Sequence, residues 1–443
     1  MTTFRPIRLG LAVFCTVLGL TATAGAQSND EVFPNLQWNF SAPGARANGM
    51  GRTFIGKADD ASAAVTNPAG LLSLTRPQIY GEFKNTKLTF ERLSERDSLL
   101  TGRLRSTTRD VAGISFASVS VPVGSRLAVA FSLHRFLEYR EDVSLADRDV
   151  PGTSPLSVTF PVNGHANFTA TAFGGSVAYM VTNALRVGVT AAANRLEVDT
   201  LATRTGTGRP NFPTPANIIV QETSVNESQM AMSLTVGLLF RLPDDKITVG
   251  GSYTKSPKFT VQENLLSNPG RLQTPPVNSS LTQSTGFPKP VEINVPDRLG
   301  AGIGIRPNSK LLIAGDIVRV NYSSLTKNTT IIFDPNAVLS SDFETPDVFE
   351  LHAGVEYSAY TMKENTLLIR AGVFTDPAHL VRFVGSNRGD AVAFALNNAA
   401  YRQAGKDKTR GTVGAGLVLG RRTQLDVAYA FGGDFVASAA VRF

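Results

Sequence analysis

Cysteine, charged residues and long apolar runs are all scarce in this chain of 443 residues. The single cysteine, Cys15, excludes a disulfide framework and a thiolate metal site, because each needs several thiols. Charged residues make up only 18% of the chain without any Lys/Arg run, so nothing indicates nucleic-acid binding. The apolar run at residues 9–20 is shorter than the roughly 20 residues of a membrane helix, and no later stretch is apolar enough. These shortages exclude a helical membrane protein.

The first 26 residues have the three parts of a secretory signal peptide. Arg5 and Arg8 provide the positive start, and residues 9–20 provide the apolar run. The small residues of AGA at 24–26 form the cleavage site, which makes Gln27 the first mature residue. The sequence therefore predicts export from the cytoplasm.

An anchor helix and a lipoprotein signal fit the start of the chain less well than a cleaved signal peptide. The apolar run is short for an uncleaved anchor helix. A lipoprotein is disfavoured because Val13 and Phe14 precede Cys15, where a lipobox needs small residues. Cleavage would remove the only thiol and lower the formal charge from +7 to about +5. That weak positive charge favours anionic lipopolysaccharide or carboxylate ligands.

After residue 77, apolar residues alternate with small or polar ones at a period of two, which predicts β-strands. In residues 298–305, for example, leucine, alanine and isoleucine alternate with glycine. A soluble sandwich would carry charges on its second face, whereas here that face is rich in Gly, Ser and Ala. The fourteen predicted strands cover roughly residues 78–90, 111–119, 126–138, 167–181, 185–197, 230–241, 246–255, 297–306, 311–322, 349–359, 365–374, 411–419, 424–431 and 435–443.

Short and long connections between these strands alternate along the chain. The long connections run to about 20 to 40 residues, apart from the tight turn before the last strand. The short connections are residues 120–125, 182–184, 242–245, 307–310, 360–364 and 420–423. Short turns on one rim and long loops on the other are typical of outer-membrane barrels. The sequence therefore predicts an all-β protein, a 14-stranded antiparallel transmembrane barrel at residues 78–443.

The last strand ends in the aromatic residue Phe443, after apolar residues at alternate positions from Phe435. Such a tail resembles the one that barrel-assembly machinery recognises, so that machinery is a predicted partner. A soluble edge strand that happens to end in phenylalanine is the alternative.

Residues 27–77 do not alternate and predict a compact plug, because fourteen strands enclose more space than side chains alone fill. Asp60 is expected to cap a short helix over residues 61–66. Asn67 and Pro68 should end it, because proline disfavours helical geometry in the residue before it. The long connections 201–229 and 256–296 are rich in Pro, Asn, Thr and Ser, and are interpreted as ordered caps or mobile loops.

Three stretches of this segment carry a family resemblance. They are GARANGMG at 44–51, ADDASA at 58–63 and NPAGL at 67–71. They resemble the N-terminal hatch of the FadL/TodX (OmpP1) family, outer-membrane transporters of long-chain fatty acids and other hydrophobic compounds. The barrel stretches VPDRLG at 295–300 and RAGVF at 370–374 are similar more loosely.

The resemblance implies a plugged barrel in which outer loops capture an apolar ligand that then leaves sideways into the membrane. It makes residues 27–77 a hatch, and it implies hatch or gate roles for one group of residues: Asp59, Asp60, Asn67, Pro68, Ala69 and Gly70. The family's lateral exit is a kink in the third strand. In this chain, His134, Arg135 and Phe136 break the alternation there, and a β-bulge would resolve the conflict. The alternative is that Arg135 lies above the hydrocarbon.

Four charged residues are expected to face the lumen and hold the hatch through charged hydrogen bonds: Arg186, Asp316, Arg370 and Asp426. Carboxylate binding by Arg370 is the minor alternative. His352 shares one strand face with Glu350 and Glu356 and is expected to belong to a hydrogen-bond network in the lumen. Metal ligation by His352 with its glutamate neighbours is the minor alternative to such a network. The sequence has no nucleophile elbow, and its four histidines lie in no recognisable motif, so we expect no enzyme activity, no metal and no cofactor.

Two functions remain in competition at this point. The first is passive transport of hydrophobic molecules, with long-chain fatty acids as the leading candidate, across the bacterial outer membrane. The second is a barrel of the same family that serves as a binding or shuttle platform for exported proteins, in which the loops matter and the lumen does not. An apolar lumen with a gap in the barrel wall would favour passive transport.

Overall fold

A computed structural model of the chain describes residues 40, 42–93, 104–149, 158–208, 218–242, 246–268, 280–326, 342–387, 394, 398, 401 and 406–443. The predicted signal peptide, Cys15 and most of residues 27–41 lie outside the described residues. No helix within the described ranges is long and apolar enough to cross a membrane.

Fourteen antiparallel strands form a closed barrel, as the sequence predicts. Each strand pairs with its neighbours in chain order, and the first pairs with the last, Gln78 opposite Arg442. The barrel strands are β1 Gln78–Leu93, β2 Leu104–Val123, β3 Leu127–Leu145, β4 Val162–Met180, β5 Leu185–Thr205, β6 Ile219–Arg241, β7 Ile247–Lys255, β8 Arg298–Ile305, β9 Leu311–Val320, β10 Val348–Met362, β11 Asn365–Asp376, β12 Lys408–Leu419, β13 Thr423–Ala430 and β14 Asp434–Arg442.

The alternation that predicts the strands separates two faces of the wall. Large apolar side chains such as Phe131, Leu299 and Phe349 point outward and are exposed, as a wall in contact with lipid requires. The side chains between them point into the lumen, and many are small or polar. The barrel is therefore apolar outside and is filled from within by other parts of the chain.

Strands β2 to β6 reach farther toward the long-loop rim than the sequence predicts. The prediction of a connection over the whole of residues 201–229 was wrong, because β5 extends to Thr205 and β6 begins at Ile219. Along this extension the outward residues are polar, as at Glu197 and Asp199, while Val198 and Ala202 are buried. Outside the hydrocarbon an outward side chain meets water, so the apolar face of the strand is the inner one there.

The long connection after β7 contains an ordered two-stranded ribbon. Lys258–Ser267 pairs with Lys289–Asn294, and the pairing continues the register of β7 and β8 beyond interruptions at Pro257 and Pro296. The ribbon turns Phe259 inward, where it packs in a large apolar cluster. The described part of this connection is therefore an ordered cap. The remaining β segments are Arg148–Asp149, Val158–Thr159, Thr282–Gln283, Phe343–Glu344 and Arg382–Phe383.

Residues 42–77 fill the barrel below that cluster and correspond to the described part of the expected hatch. They contain helix α1 at Ala45–Gly49, helix α2 at Ala63–Thr66 and a 3-10 helix at Pro68–Ser73. A second 3-10 helix, Tyr322–Ser324, follows β9. Helix α2 begins two residues later than predicted, with Ser62 as its N-cap. The Asp60 carboxylate instead accepts bonds from the N–H and hydroxyl of Ser62, which form the turn before the helix. The helix ends before Asn67-Pro68, as predicted.

Candidate functional site

The hatch touches the wall through backbone, at positions where the wall has glycine. A Cβ atom built on Gly372 would lie 2.2 Å from the N atom of Gly51, and one on Gly354 would lie 2.1 Å from the Met50 carbonyl oxygen. Gly188 of β5 and Gly250 of β7 face hatch backbone in the same way, and Gly237 of β6 faces the side chains of Asn67 and Pro68. Because backbone atoms cannot turn aside as a side chain can, the absence of Cβ at these positions permits the hatch to dock.

Asp316 of β9 anchors the middle of the hatch. Its carboxylate accepts bonds from three consecutive backbone N–H groups, Phe54 at 2.5 Å, Ile55 at 2.9 Å and Gly56 at 3.3 Å. Such a set of converging N–H groups is a site for an anion, here supplied by the wall. Glu82 of β1 accepts bonds from the Gly44 N–H and the Ser115 hydroxyl, and holds the start of the hatch.

A buried ionic cluster joins α1 to the far wall. Arg46 donates to both oxygens of Glu356, each at 2.7 Å, and Arg370 donates to Glu356 at 2.8 Å. Arg370 also lies 2.7 Å from Asp426, and its side chain is fully buried. Arg370 and Asp426 are thus connected to the hatch through Glu356 and Arg46. The sequence predicts that Glu356 lies on the inward face of β10 with Glu350 and His352. It does not predict that Glu356 binds Arg46 and so connects the wall to the hatch.

Asp59 lies at the next turn of the hatch and accepts from Arg46 at 2.6 Å. It also pairs with Lys57 and lies 3.6 Å from Arg306. Burial by itself would raise the pKa of Asp59, but the positive charges of Arg46 and Lys57 outweigh burial and hold that pKa well below its usual range. Burial also lowers the pKa of Lys57 to about 8 against the opposing pull of Asp59. Asp59 is therefore a charged hub between hatch and wall.

Asn67 to Gly70 lie against β5 and β6. The Asn67 amide donates to the Ile55 carbonyl at 2.9 Å, inside the hatch, and to the Leu238 carbonyl at 3.0 Å, in the wall. Pro68 and Ala69 contact Gly188, and Gly70 contacts the backbone of Ala58. The segment is thus held on both sides, by the rest of the hatch and by the wall.

The remaining residues expected to face the lumen do not form one network. Arg186 is buried and donates to the hydroxyl of Ser73 at the end of the hatch. Glu350 lies 3.6 Å from His352 Nε2 and 4.0 Å from Arg298, away from the hatch ionic cluster. No group of three or more His, Cys, Asp or Glu side chains among the described residues is arranged to hold a metal ion.

The wall separates between β2 and β3. Their ladder runs from Val123 and Leu127 to Phe116 and His134 and stops there, although both strands continue. Both strands bulge at this height, β2 at Ser115 and β3 at Phe136, as the register against β1 and β4 shows. We call the space between residues 109–115 of β2 and 135–142 of β3 the side slit. Phe136 is buried in the lumen, and Arg135 stays at the slit.

A cavity of about 110 Å³ lies behind the side slit. Its lining combines apolar residues, six cations and three carboxylates. The apolar residues include Phe40, Leu88, Val111, Ile114, Phe136 and Tyr139; the cations are Arg52, Lys84, Lys87, Arg135, Lys408 and Arg410; the carboxylates are Glu138, Asp376 and Asp434. The cavity is smaller than the roughly 150 Å³ apolar cavity that admits benzene. This cavity is therefore too small for a long-chain ligand, and passage of such a ligand through it requires movement.

A row of aromatic rings crosses the lumen beside this cavity. Neighbouring ring centres lie between 4.0 and 6.5 Å apart. In order, the rings belong to Tyr80, Phe116, His134, Phe136, Phe40, Tyr322 and His379. Phe40, which precedes the hatch helices, is stacked between Phe136 and Tyr322. The chain's own N-terminal segment thus fills the gap between two aromatic surfaces.

Several solved structures share this architecture. A FadL homologue of Pseudomonas aeruginosa superimposes with a TM-score of 0.61 at 14% identity, over 91% of this chain and 100% of that one. The toluene transporter TodX of P. putida gives 0.60 at 12% identity, over 92% and 99%. TbuX, the toluene transporter of Ralstonia pickettii, gives 0.56 at 15% identity, over 92% and 100%. At these identities the likeness establishes the fold alone.

The sequence itself identifies the family. No curated protein matches the chain. The profile of one family, described as outer membrane protein transport protein (OMPP1/FadL/TodX), matches residues 39–381, which include most of the hatch and most of the barrel. This chain therefore belongs to the OMPP1/FadL/TodX family of outer-membrane transport proteins.

Proposed function

We propose that the protein carries long-chain fatty acids passively across the outer membrane, with a hatch that gates the lumen and sideways release through the side slit. The cavity behind the side slit is the observation that supports this proposal. Its apolar side chains suit a hydrocarbon chain, and its cations, which outnumber its carboxylates, suit an acidic headgroup. A neutral hydrocarbon such as toluene, which TodX and TbuX are named for, would gain nothing from those cations.

The energetics support a route without an external energy source. Each methylene buried from water contributes about 0.8 kcal/mol, so an apolar chain is drawn from water toward the lumen. Release into lipid keeps the chain out of water, and a side exit therefore avoids the cost of passing through the aqueous periplasm. Rearrangement of the rings around Phe40 would enlarge the small cavity, and Phe40 would link that change to the hatch through the backbone.

Three further parts of the proposal concern the surroundings of the barrel. The signal peptide at residues 1–26 would direct export, and Phe443, which is exposed at the end of β14, would present the tail to barrel-assembly machinery. The outward apolar belt suits outer-membrane lipid, and lipopolysaccharide would contact the more polar rim above it.

Uptake of radiolabelled oleate by cells with and without the gene tests the function. We expect faster uptake when the protein is present, with radiolabelled toluene as the comparison ligand. Equal oleate uptake in the two strains would rule out fatty-acid transport. A gain for toluene alone would assign the barrel to neutral hydrocarbons instead.

Replacing Asn67 and Pro68 together with alanine tests the gate. The change removes the amide bonds to Ile55 and Leu238, and we expect oleate uptake to slow about fivefold, equivalent to about 1 kcal/mol. The matched control replaces Pro307 and Asn308, the same pair of residue types in a short turn, where Asn308 accepts bonds from Lys310 and Leu311. Equal slowing by both double variants would contradict a gate at Asn67–Pro68.

A further inference from the structure

We propose that Arg135 is a charge latch in the side slit, and that its guanidinium selects anionic amphiphiles for sideways passage. This inference deepens the proposed function and rests on it. It concerns the closed slit itself and assigns to one side chain the choice between acidic and neutral ligands.

The slit is closed at both ends. At its lower end, the last ladder pair of the two strands joins Phe116 to His134. At its outer end, Arg109 of β2 lies 2.6 Å from Asp142 of β3. Between these two bridges no backbone ladder joins the strands, so side chains alone close the wall there.

Arg135 is the side chain that fills this space. A Cβ atom on Gly113 of β2 would lie 2.9 Å from Arg135 Nη1, so the guanidinium of β3 occupies the room that a side chain at Gly113 would take. Ile114, the next residue of β2, is 62% exposed on the outer face. Because Ile114 also lines the cavity, Arg135 lies where the cavity meets the apolar outer surface of the barrel.

The polar partners of Arg135 are few. Its Nη1 lies 3.4 Å from Glu138 Oε2, which is long for a charge-assisted bond. Arg140 lies closer to the same carboxylate, at 3.0 Å from Oε1. The Nε of Arg135 is buried and finds no acceptor among the described residues. The guanidinium of Arg135 therefore has one N–H without an acceptor in the described part of the chain and shares its carboxylate partner, Glu138, with Arg140.

A carboxylate that reaches the slit can accept from that spare donor and replace Glu138 as the partner of Arg135. The guanidinium of Arg135 then pairs with the ligand carboxylate and moves away from Glu138, which opens the slit. Glu138 stays paired with Arg140. A neutral ligand of the same length must push the guanidinium aside and offers no acceptor anion in return. The slit should therefore pass the acid faster than the neutral compound.

The experiment compares radiolabelled oleate with radiolabelled oleyl alcohol, which has the same chain and no charge, in cells that produce each variant. Arg135→Gln should lower oleate uptake about tenfold, as expected for loss of a bond between charged groups, and leave oleyl alcohol uptake unchanged or faster. Arg135→Lys, which keeps the charge, should retain most of the oleate uptake.

The matched control is Arg195→Gln. Arg195 lies at the same height of the wall, since Thr171 of β4 pairs with Arg135 on one side and with Arg195 on the other. It also pairs with a glutamate of its own strand, Glu197 at 2.8 Å, but lies away from the slit. We expect its uptake of both ligands to equal that of the wild type, with all barrels matched by immunoblot and by heat-dependent gel mobility.

Two outcomes would overturn the latch. One is unchanged oleate uptake in Arg135→Gln, and the other is an equal loss for oleate and oleyl alcohol, which marks a merely structural arginine. Failure of the wild-type protein to raise oleate uptake at all is a distinct result. It would overturn the proposed function and this inference with it.

Discussion

Replacing Gly372 with valine should expel the hatch from the barrel. The new Cβ would lie 2.2 Å from the Gly51 N atom and 2.3 Å from the Met50 carbonyl carbon, and neither backbone atom can yield without moving the hatch. Overpacking of this kind costs about 1–3 kcal/mol where side chains can adjust, and more where they cannot. An unplugged fourteen-stranded barrel is a wide pore, so we expect cells to become sensitive to vancomycin and planar bilayers to acquire large, steady conductance.

The control for this experiment is Gly81→Val. Gly81 lies in β1 on the exposed outer face, and a Cβ atom there meets nothing within 4 Å. The same change in side-chain volume should therefore leave vancomycin resistance and conductance at wild-type values. Wild-type resistance in Gly372→Val, with a normal amount of barrel in the outer membrane, would show that the hatch does not dock against β11.

Replacing Arg370 with methionine should destabilise the whole barrel by about 3–5 kcal/mol, the usual cost of breaking a buried ion pair from one side. The side chain of Arg370 is fully buried, and its loss would leave Glu356 and Asp426 close together with one fewer cation between them. Urea unfolding of the refolded protein in lipid, followed by circular dichroism, measures the free energy of unfolding.

The comparison variant for Arg370 is Arg421→Met. Arg421 pairs with Glu364 at 3.1 Å, but both side chains are more than half exposed. An exposed pair contributes about 0–1 kcal/mol, so this variant should unfold within that margin of the wild type. Equal stability of the Arg370 and Arg421 variants would mean that the buried cluster contributes no more than a surface pair.

All fourteen strands were predictable from the sequence, but several were predicted too short. At positions 230–241 the side chains that face lipid are apolar, and this alternation is visible in the sequence alone. Above the hydrocarbon the outward residues meet water, so β5 and β6 continue with the opposite pattern, as at Glu197 and Val198. The ribbon after β7 was not predicted as strands, because Pro257 and Pro296 separate it from β7 and β8.

The candidate site was predictable only in part. The sequence placed Asp316, Arg370 and Asp426 on inward faces, and it placed the irregularity of β3 at Arg135 and Phe136. It could not identify their partners. Asp316 binds backbone N–H groups of the hatch, which carry no side-chain signal at all, and Arg46 meets Glu356 across 310 positions of the chain.

The sequence alone determined that the wall faces lipid, how many strands it has and that a plug is present. Each of these depends on local alternation, turn length or a contiguous motif. Only the tertiary structure decided which charges meet, where glycine admits the hatch and how far β2 and β3 stay paired. Those features join distant segments, and the two bulges at Ser115 and Phe136 change the register after them. A single extra residue in a strand exchanges its inner and outer faces, so the irregularity of β3 is visible in the sequence. The separation of β3 from β2 is not, because it depends on how the two strands pair.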